Sequence, residues 1–471
     1  MLIALLAAGP ASGLESGDGF ELIGAVRTRH AREIGSSPWS VGAETMDRDF
    51  TIYAHWREYL GPLGVKRARI QSGWAKTERR KGSYDWAWLD EIIPDMVEQG
   101  VEPWVCLFYG NHRYEGGGGT GLGGGLPSSE EALAAWDRYV AAFVERYGEY
   151  VDEWEVWNEP RGDVTHEEYA RFLIRTGRVI RRLQPDATVI GPSTVRINIQ
   201  QADDVLRYLQ AEDALGLIDQ IIVHPYNENP DDSYPKIEQL RDVMAHYSDR
   251  ITIRQGENGA PSQKGSFGAL GRSYDWSERK QAKWALRRLL GDLGHGVRPS
   301  SYFAICDMHY GDKINYKGLL ATNPDKTVHH RKEGYFAVQH LTAVFDDTLE
   351  RIPGYPYYLT PWQNNERNHS AFGYRKGDGR QVVAIWRNTD PPGANRSVRE
   401  LDLFLPAGRF TDPVLVDLLS GEVYDIADDR WSAEEGPCHF RDVPLYDSPI
   451  LIAERSAIPL RAENDADRHE G

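Results

Sequence analysis

Residues 152–160 read Asp152-Glu153-Trp154-Glu155-Val156-Trp157-Asn158-Glu159-Pro160. They form a short buried strand that stops on Asn-Glu-Pro and leaves the carboxylic acid of Glu159 at its C-terminal tip. A second stretch repeats the arrangement. Ile251-Thr252-Ile253-Arg254-Gln255-Gly256-Glu257-Asn258-Gly259 begins with β-branched residues and ends in a Gly-Glu-Asn-Gly turn with Glu257 at its mouth. Two glutamates, each at the end of its own strand, match what glycosidic-bond hydrolysis requires, namely one proton donor and one nucleophile or base.

Outward from these two strands the pattern repeats. Eight short apolar runs are read as strands: Phe20 to Val26, Arg67 to Ser72, Glu102 to Phe108, Glu153 to Asn158, Thr188 to Ser193, Gln220 to Pro225, Ile251 to Glu257 and Ser301 to Asp307. Most are followed by an amphipathic helical pattern, and eight such units predict a (β/α)8 TIM barrel. Trp136, Val140, Phe143 and Tyr147 share one helical face, and Ala282, Ala285, Leu289 and Leu293 share another, with Gly294 closing that helix. Thr165-His166-Glu167-Glu168 reads as a capping box that opens the helix after Glu159. Beyond a last helix at Glu333 to Phe345, strands such as Gln381 to Arg387, Val414 to Leu419 and Ser448 to Ala453 alternate with Gly-, Pro-, Asn- and Asp-rich segments. They predict a C-terminal antiparallel β-sandwich. The expected organisation is an N-terminal export signal or disordered stretch over 1–18, a barrel over 19–350, a sandwich over 351–460 and a polar tail over 461–471.

Composition narrows the function classes. A chain of 471 residues with 41% hydrophobic content exceeds what one core organises. A net charge of −17 without a polybasic run argues against nucleic acid as a partner. No later run is long and apolar enough to span a membrane. Met1 to Gly13 has the apolar core and small residues of an export signal but no basic start, which points to a secreted or periplasmic protein. Cys106, Cys306 and Cys438 fit neither a disulfide framework nor a zinc site, and no metal or other cofactor is expected, since His112, His224 and His309 lack zinc-ligand spacing.

In a barrel of this kind the strand C-termini form the active site, so Glu159 and Glu257 rank first as catalytic residues. At this point Trp157-Asn158-Glu159-Pro160 on strand four and Gly256-Glu257-Asn258 on strand seven resemble the clan A glycoside hydrolases. Gly42 to Asp49, Gln71 to Lys76, Gly82 to Trp86 and Tyr109-Gly110-Asn111 are similar to family 39 of that clan. The resemblance implies a retaining double displacement with Glu159 as acid/base and Glu257 as nucleophile. It further implies substrate-site roles for Asn158, Arg69, His224 and Tyr226, with Trp74, Asn111 and His309 as further contacts. Strand eight departs from the clan by carrying Cys306-Asp307-Met308-His309 where a tryptophan is usual, so Trp74 or Trp157 is expected to supply the aromatic face.

Three further readings follow. The Gly-rich run 115–125 lacks the Gly-Lys-Ser/Thr ending of a phosphate loop and reads as a loop at the active-site rim. Arg27, Arg29, His30 and Arg32 follow the first predicted strand and are weighed as an anchor for a uronic or sulfated sugar against a solvated basic loop. The expected activity is exo-acting on plant or algal oligo- or polysaccharide, xylosidase-like or directed at uronic or sulfated glycans. An endo-acting glycanase and a non-catalytic carbohydrate-binding barrel are the alternatives.

Overall fold

The computed structural model describes residues 19–361, 368–433 and 437–462. The segment read as an export signal lies outside the described residues. Eight parallel strands close a barrel: Trp39–Gly42, Arg67–Gln71, Glu102–Leu107, Glu153–Val156, Thr188–Val195, Gln220–His224, Thr252–Asn258 and Ser300–Tyr302. They are numbered one to eight in that order. Strand eight pairs back onto strand one through Trp39↔Ser300 and Val41↔Tyr302, which closes the ring.

Interior side chains explain why the barrel is filled rather than hollow. Trp104, Ile190 and Ile222 pack on one another as a small apolar plug. Charged side chains flank it in tiers along strand four, where alternate residues point inward. Glu153 pairs with Arg67 at 3.2 Å and Arg254 at 2.6 Å. Glu155, two residues nearer the active-site end, pairs with Arg69 at 2.8 Å. Both Arg69 and Arg254 lie over the Trp104 ring, at 5.4 and 4.7 Å from its centroid.

The outer helices form as their periodicity predicts. Glu130–Tyr147 buries Trp136, Tyr139, Val140 and Phe143. His166–Leu183 is opened by the predicted capping box, with Thr165 and Glu168 each satisfying a backbone amide of the other. Pro94 is carried inside the helix Ala87–Glu98. The helix Glu278–Gly294 is buried on every face from Lys280 onward, although its sequence reads as amphipathic. An antiparallel layer covers its outward side: Lys283 Nζ reaches Asp447 Oδ1 at 2.7 Å, and Arg287 donates to the Asp390 carbonyl at 2.9 Å.

That layer comprises an eight-stranded sheet and a four-stranded sheet, consistent with a β-sandwich. It corrects the reading of the first strand. Phe20–Val26 pairs with Glu422–Ile426 and Leu460–Ala462, not with any barrel strand. The barrel begins instead at Trp39–Gly42, a four-residue strand with too little apolar sequence to stand out. Arg461 and Ala462, expected in the polar tail, complete the same sheet, and residues 463–471 lie outside the described residues. Strand eight is also shorter than read, since after Tyr302 the chain leaves the barrel and forms a hairpin of Met308–Tyr310 with Lys313–Asn315. Cys106, Cys306 and Cys438 are free and buried. No helix among the described residues is long and apolar enough to cross a membrane.

Candidate active site

The C-terminal ends of the strands open into a cavity of about 850 Å³ whose lining includes Glu159 and Glu257. Glu159 leaves strand four through a backbone that L-residues rarely adopt, with φ of 66° at Trp157 and 46° at Glu159. Conformations of this kind cost of order 1–3 kcal/mol each and persist where surrounding contacts over-determine them. Here Asn158 supplies the contacts: its Oδ1 accepts from Arg69 Nη2 at 2.8 Å, and its amide donates to the Tyr109 hydroxyl at 3.2 Å.

Arg69, fully buried, is the hub of the site. Its guanidinium grips Glu155 with two parallel bonds of 2.8 and 2.9 Å, and reaches Glu44 at 2.7 Å and Glu257 at 3.2 Å. A planar five-donor group is what allows one side chain to hold three carboxylates at once. Burial alone would lower the affinity of Arg69 for its proton, but Glu155 and Glu44 outweigh it and keep the guanidinium charged. Glu44 has the opposite fate: burial pushes its carboxyl up to about 7 despite Arg69, and the neighbouring Glu257 adds to the rise.

Glu257 is held as a carboxylate. Burial pushes its carboxyl up, but His224, Arg69, the Tyr226 hydroxyl and Lys317 together hold it below the usual range. Tyr226 donates to its Oε1 at 2.8 Å. Burial keeps His224 below its ordinary value, so near neutrality the imidazole is uncharged, leaving Arg69 and the Tyr226 hydroxyl as the steady support. Lys317 is buried beside this carboxylate and over the Tyr226 ring, and burial pushes its ammonium down to about 7.

Glu159 has different company. His224 Nδ1 lies 2.9 Å from its Oε1, so a single proton lies between imidazole and carboxyl. Arg161, on the loop after strand four, donates to its Oε2. An oxygen of Glu159, an oxygen of Glu257 and a nitrogen of His224 all lie within 4.8 Å of one another. Such a set could in principle coordinate a divalent cation. Arg161 already pairs with the Glu159 carboxyl and Arg69 with that of Glu257, so each carboxyl carries a guanidinium that a cation would have to tolerate or displace.

The structure brings Glu159, Glu257, Asn158, Arg69, His224 and Tyr226 together, but not the remaining predicted contacts. Trp74 is fully buried behind the site, stacks on Tyr114 and Tyr139 and donates to Glu78 at 2.5 Å. Asn111 is fully buried and donates to the Glu78 carbonyl, bracing the loop after strand three. His309 lies in the hairpin after strand eight and bonds Thr322 at 2.8 Å. None of the three lines the cavity, and Trp157 packs against Trp136 and Phe172 instead. The aromatic walls come from Tyr109, in a stretch already likened to family 39, and from Phe50, Phe267, Phe303 and Tyr310, which the sequence did not single out. Phe50 and Tyr310, distant in sequence, meet with ring centroids 4.4 Å apart. Of the Gly-rich run, Gly121 and Leu122 reach the cavity, as a rim loop would.

The basic cluster after the first predicted strand is not at this face. Because Phe20–Val26 belongs to the antiparallel sheet, Arg29 pairs with Asp346 at 2.7 Å beyond the last helix, and Arg32 donates to the Glu98 carbonyl ahead of strand three. These contacts put the cluster at the opposite end of the barrel from Glu159 and Glu257, and remove it as an anchor for an anionic sugar there.

Comparison with known proteins agrees with this geometry. Residues 68–255 match the family model "Glycosyl hydrolases family 39". Among solved structures, a family 39 glycoside hydrolase from Bacteroides cellulosilyticus WH2 superposes with a TM-score of 0.63 at 16% identity, covering 89% of this chain and 81% of its own. A monomeric β-xylosidase from Caulobacter crescentus CB15 gives 0.58 at 16% identity, with 92% and 97% covered. A family 30 endoxylanase from Clostridium papyrosolvens C71 gives 0.58 at 14% identity, with 92% and 97% covered. At these identities the structural likeness establishes the fold. The family match makes the chain a glycoside hydrolase, and the family it resembles is a retaining one of clan A.

Proposed function

We propose that the chain cleaves O-glycosidic bonds by double displacement, with Glu159 as acid/base and Glu257 as nucleophile. The observation that carries this reading is a pair of carboxyl groups with oxygens within 4.8 Å across one cavity and with opposite surroundings. Retaining enzymes need their carboxyl groups about 5–5.5 Å apart, whereas inverting ones leave about 6.5–9.5 Å for a water. Glu257, kept ionised by Arg69 and Tyr226, suits attack on the anomeric carbon. Glu159 shares a proton position with His224, which suits donation to the glycosidic oxygen and later activation of water. Arg69, Asn158 and Tyr226 act as positioning residues: Arg69 and Tyr226 hold the nucleophile, and Asn158 anchors the strand tip that presents Glu159.

A cavity of this volume falls within the range of small-ligand sites and supports exo action at a chain end over an open polymer cleft. The test is hydrolysis of a panel of aryl glycosides and defined oligosaccharides, xylosides and uronic or sulfated sugars included, by the wild type beside Glu257→Gln. Single sugars released by the wild type alone support the reading. Mixed oligomers from a polymer favour the endo alternative, and binding without turnover in both forms favours a non-catalytic barrel.

A further inference from the structure

The Arg161 contact raises a chemical conflict. If Glu159 is the proton donor, it must enter the reaction protonated with one oxygen facing the glycosidic bond. In the resting site both oxygens are taken, Oε1 by His224 and Oε2 by Arg161. A guanidinium keeps its proton near neutrality and favours an ionised partner, so Arg161 opposes protonation of Glu159 while the two remain together. Moving Arg161 away therefore favours the proton-bearing acid that the first step needs. Its side chain is 39% exposed and sits on a loop, so it is free to swing.

Arg196, at the end of strand five, lines the same side of the cavity. Its backbone is in the left-handed region with φ of 59°, and its carbonyl is tied to the His224 amide at 3.1 Å, which fixes the position from which the side chain projects. Its guanidinium forms no ion pair among the described residues. The cationic lining of Arg48, Arg161, Arg196 and Lys317 stands out in a chain whose net charge is −17. Arg48 is committed to Asp47, and Lys317 sits on the nucleophile's side. That leaves Arg161, on Glu159 itself, and Arg196, which follows the adjacent strand five and lines the same cavity, and the leaving group lies beside the proton donor by the chemistry of the step.

Resting on the assignment of Glu159 as acid, we propose that Arg161 and Arg196 form a subsite for an anionic group, a carboxylate or a sulfate ester, on the leaving-group sugar, and that this anion draws Arg161 off Glu159. Oε2 is then free to take a proton from solvent and face the glycosidic oxygen. The proton passes to that oxygen as the bond to the anomeric carbon breaks and Glu257 forms the ester. Substrate charge is thereby coupled to the arming of the acid, and neutral leaving groups find Glu159 still paired.

The experiment uses aryl glycosides of the sugar that the wild type hydrolyses, with 4-carboxyphenyl or 4-sulfooxyphenyl leaving groups beside the neutral 4-carbamoylphenyl analogue. The wild type should favour the anionic leaving groups by about tenfold or more in kcat/KM, in line with a charge-assisted pair gained. That ratio should fall to about twofold or less in Arg161→Gln and in Arg161→Gln/Arg196→Gln, and return in Arg161→Lys. The carboxylate and sulfate arms tell which anion the subsite takes. Equal rates on charged and neutral leaving groups in the wild type, or a preference that survives the double substitution, overturns the proposal. Turnover that survives Glu257→Gln overturns instead the catalytic reading beneath it, so the two failures are distinguishable.

Discussion

Replacing Tyr226 by Phe removes one hydroxyl from the site, and the structure sets what should follow. That hydroxyl donates to Glu257 Oε1 at 2.8 Å, a bond to an ionised partner. Bonds of this class contribute about 1.5–3 kcal/mol. The loss falls on the ionised form of Glu257, because the protonated carboxyl gains little from the donor. At about 1.36 kcal/mol per pH unit, the acid limb of kcat/KM should move upward by about one to two units. The direction is fixed by the chemistry: Glu257 must be ionised to attack, and anything that weakens its ionised form makes the enzyme lose activity sooner as pH falls. Arg69 still holds the other oxygen at 3.2 Å, so activity well above the limb should persist. The assay is the pH profile of kcat/KM on an aryl glycoside, with thermal unfolding measured beside it to confirm that the fold is kept. An acid limb that stays in place in a folded Tyr226→Phe protein would refute the reasoning, since Glu257 would then not be the group that titrates.

Three other outcomes are expected. Lys317→Met should also raise the acid limb, because Lys317, with its ammonium pushed down to about 7, is charged below that pH and lends Glu257 its cation where the limb is measured; an unmoved profile would remove Lys317 from the site's electrostatics. Glu155→Ala takes from Arg69 its two-bond partner in the dry barrel interior and should lower stability by about 3–5 kcal/mol in chemical denaturation, whereas a loss under about 1 kcal/mol would mean that the buried pair is relieved by other contacts. Trp74→Phe should keep kcat/KM close to wild type while costing about 1–3 kcal/mol of stability, since it leaves the Glu78 carboxylate short of a donor outside the cavity; a large loss of activity at unchanged stability would return Trp74 to the substrate site.

The residues at the strand ends were legible in sequence because a barrel turns sequence position into spatial position. A glutamate that ends a strand in such a repeat must emerge on one face, and Glu159, Glu257, His224 and Tyr226 all did. Arg69 was read through the resemblance to the clan, which places an arginine at the end of strand two, and the structure sets it between Glu44, Glu155 and Glu257. What failed was any residue whose place depends on a loop. Trp74 and Asn111 follow strands two and three closely, yet the loops fold them back behind the barrel wall, where Glu78 satisfies both. The aromatic walls are built by Phe50, Phe267 and Tyr310 from three separate loops, and no local pattern encodes their meeting. Phe20–Val26 shows the same limit at the level of fold. A half-buried apolar strand carries no mark of its partner, and this one pairs with Glu422–Ile426, some four hundred residues away in sequence. Once it was taken for a barrel strand, the basic residues after it were carried to the wrong end of the molecule. The burial of Lys283 and Arg287 was hidden likewise, since charges on a helix face read as solvated until a second layer covers them.

The account stands most directly on Glu257 as the covalent nucleophile. Once the panel has identified the sugar, its 2-deoxy-2-fluoro derivative with a good leaving group should slow release of the intermediate more than its formation, so the glycosyl-enzyme accumulates. Peptide mass spectrometry should then find one added fluorosugar on the segment that carries Gly256-Glu257-Asn258, and none in Glu257→Gln. An adduct on Glu159 or Glu44 instead, or inverted product with no adduct at all, would contradict the assignment.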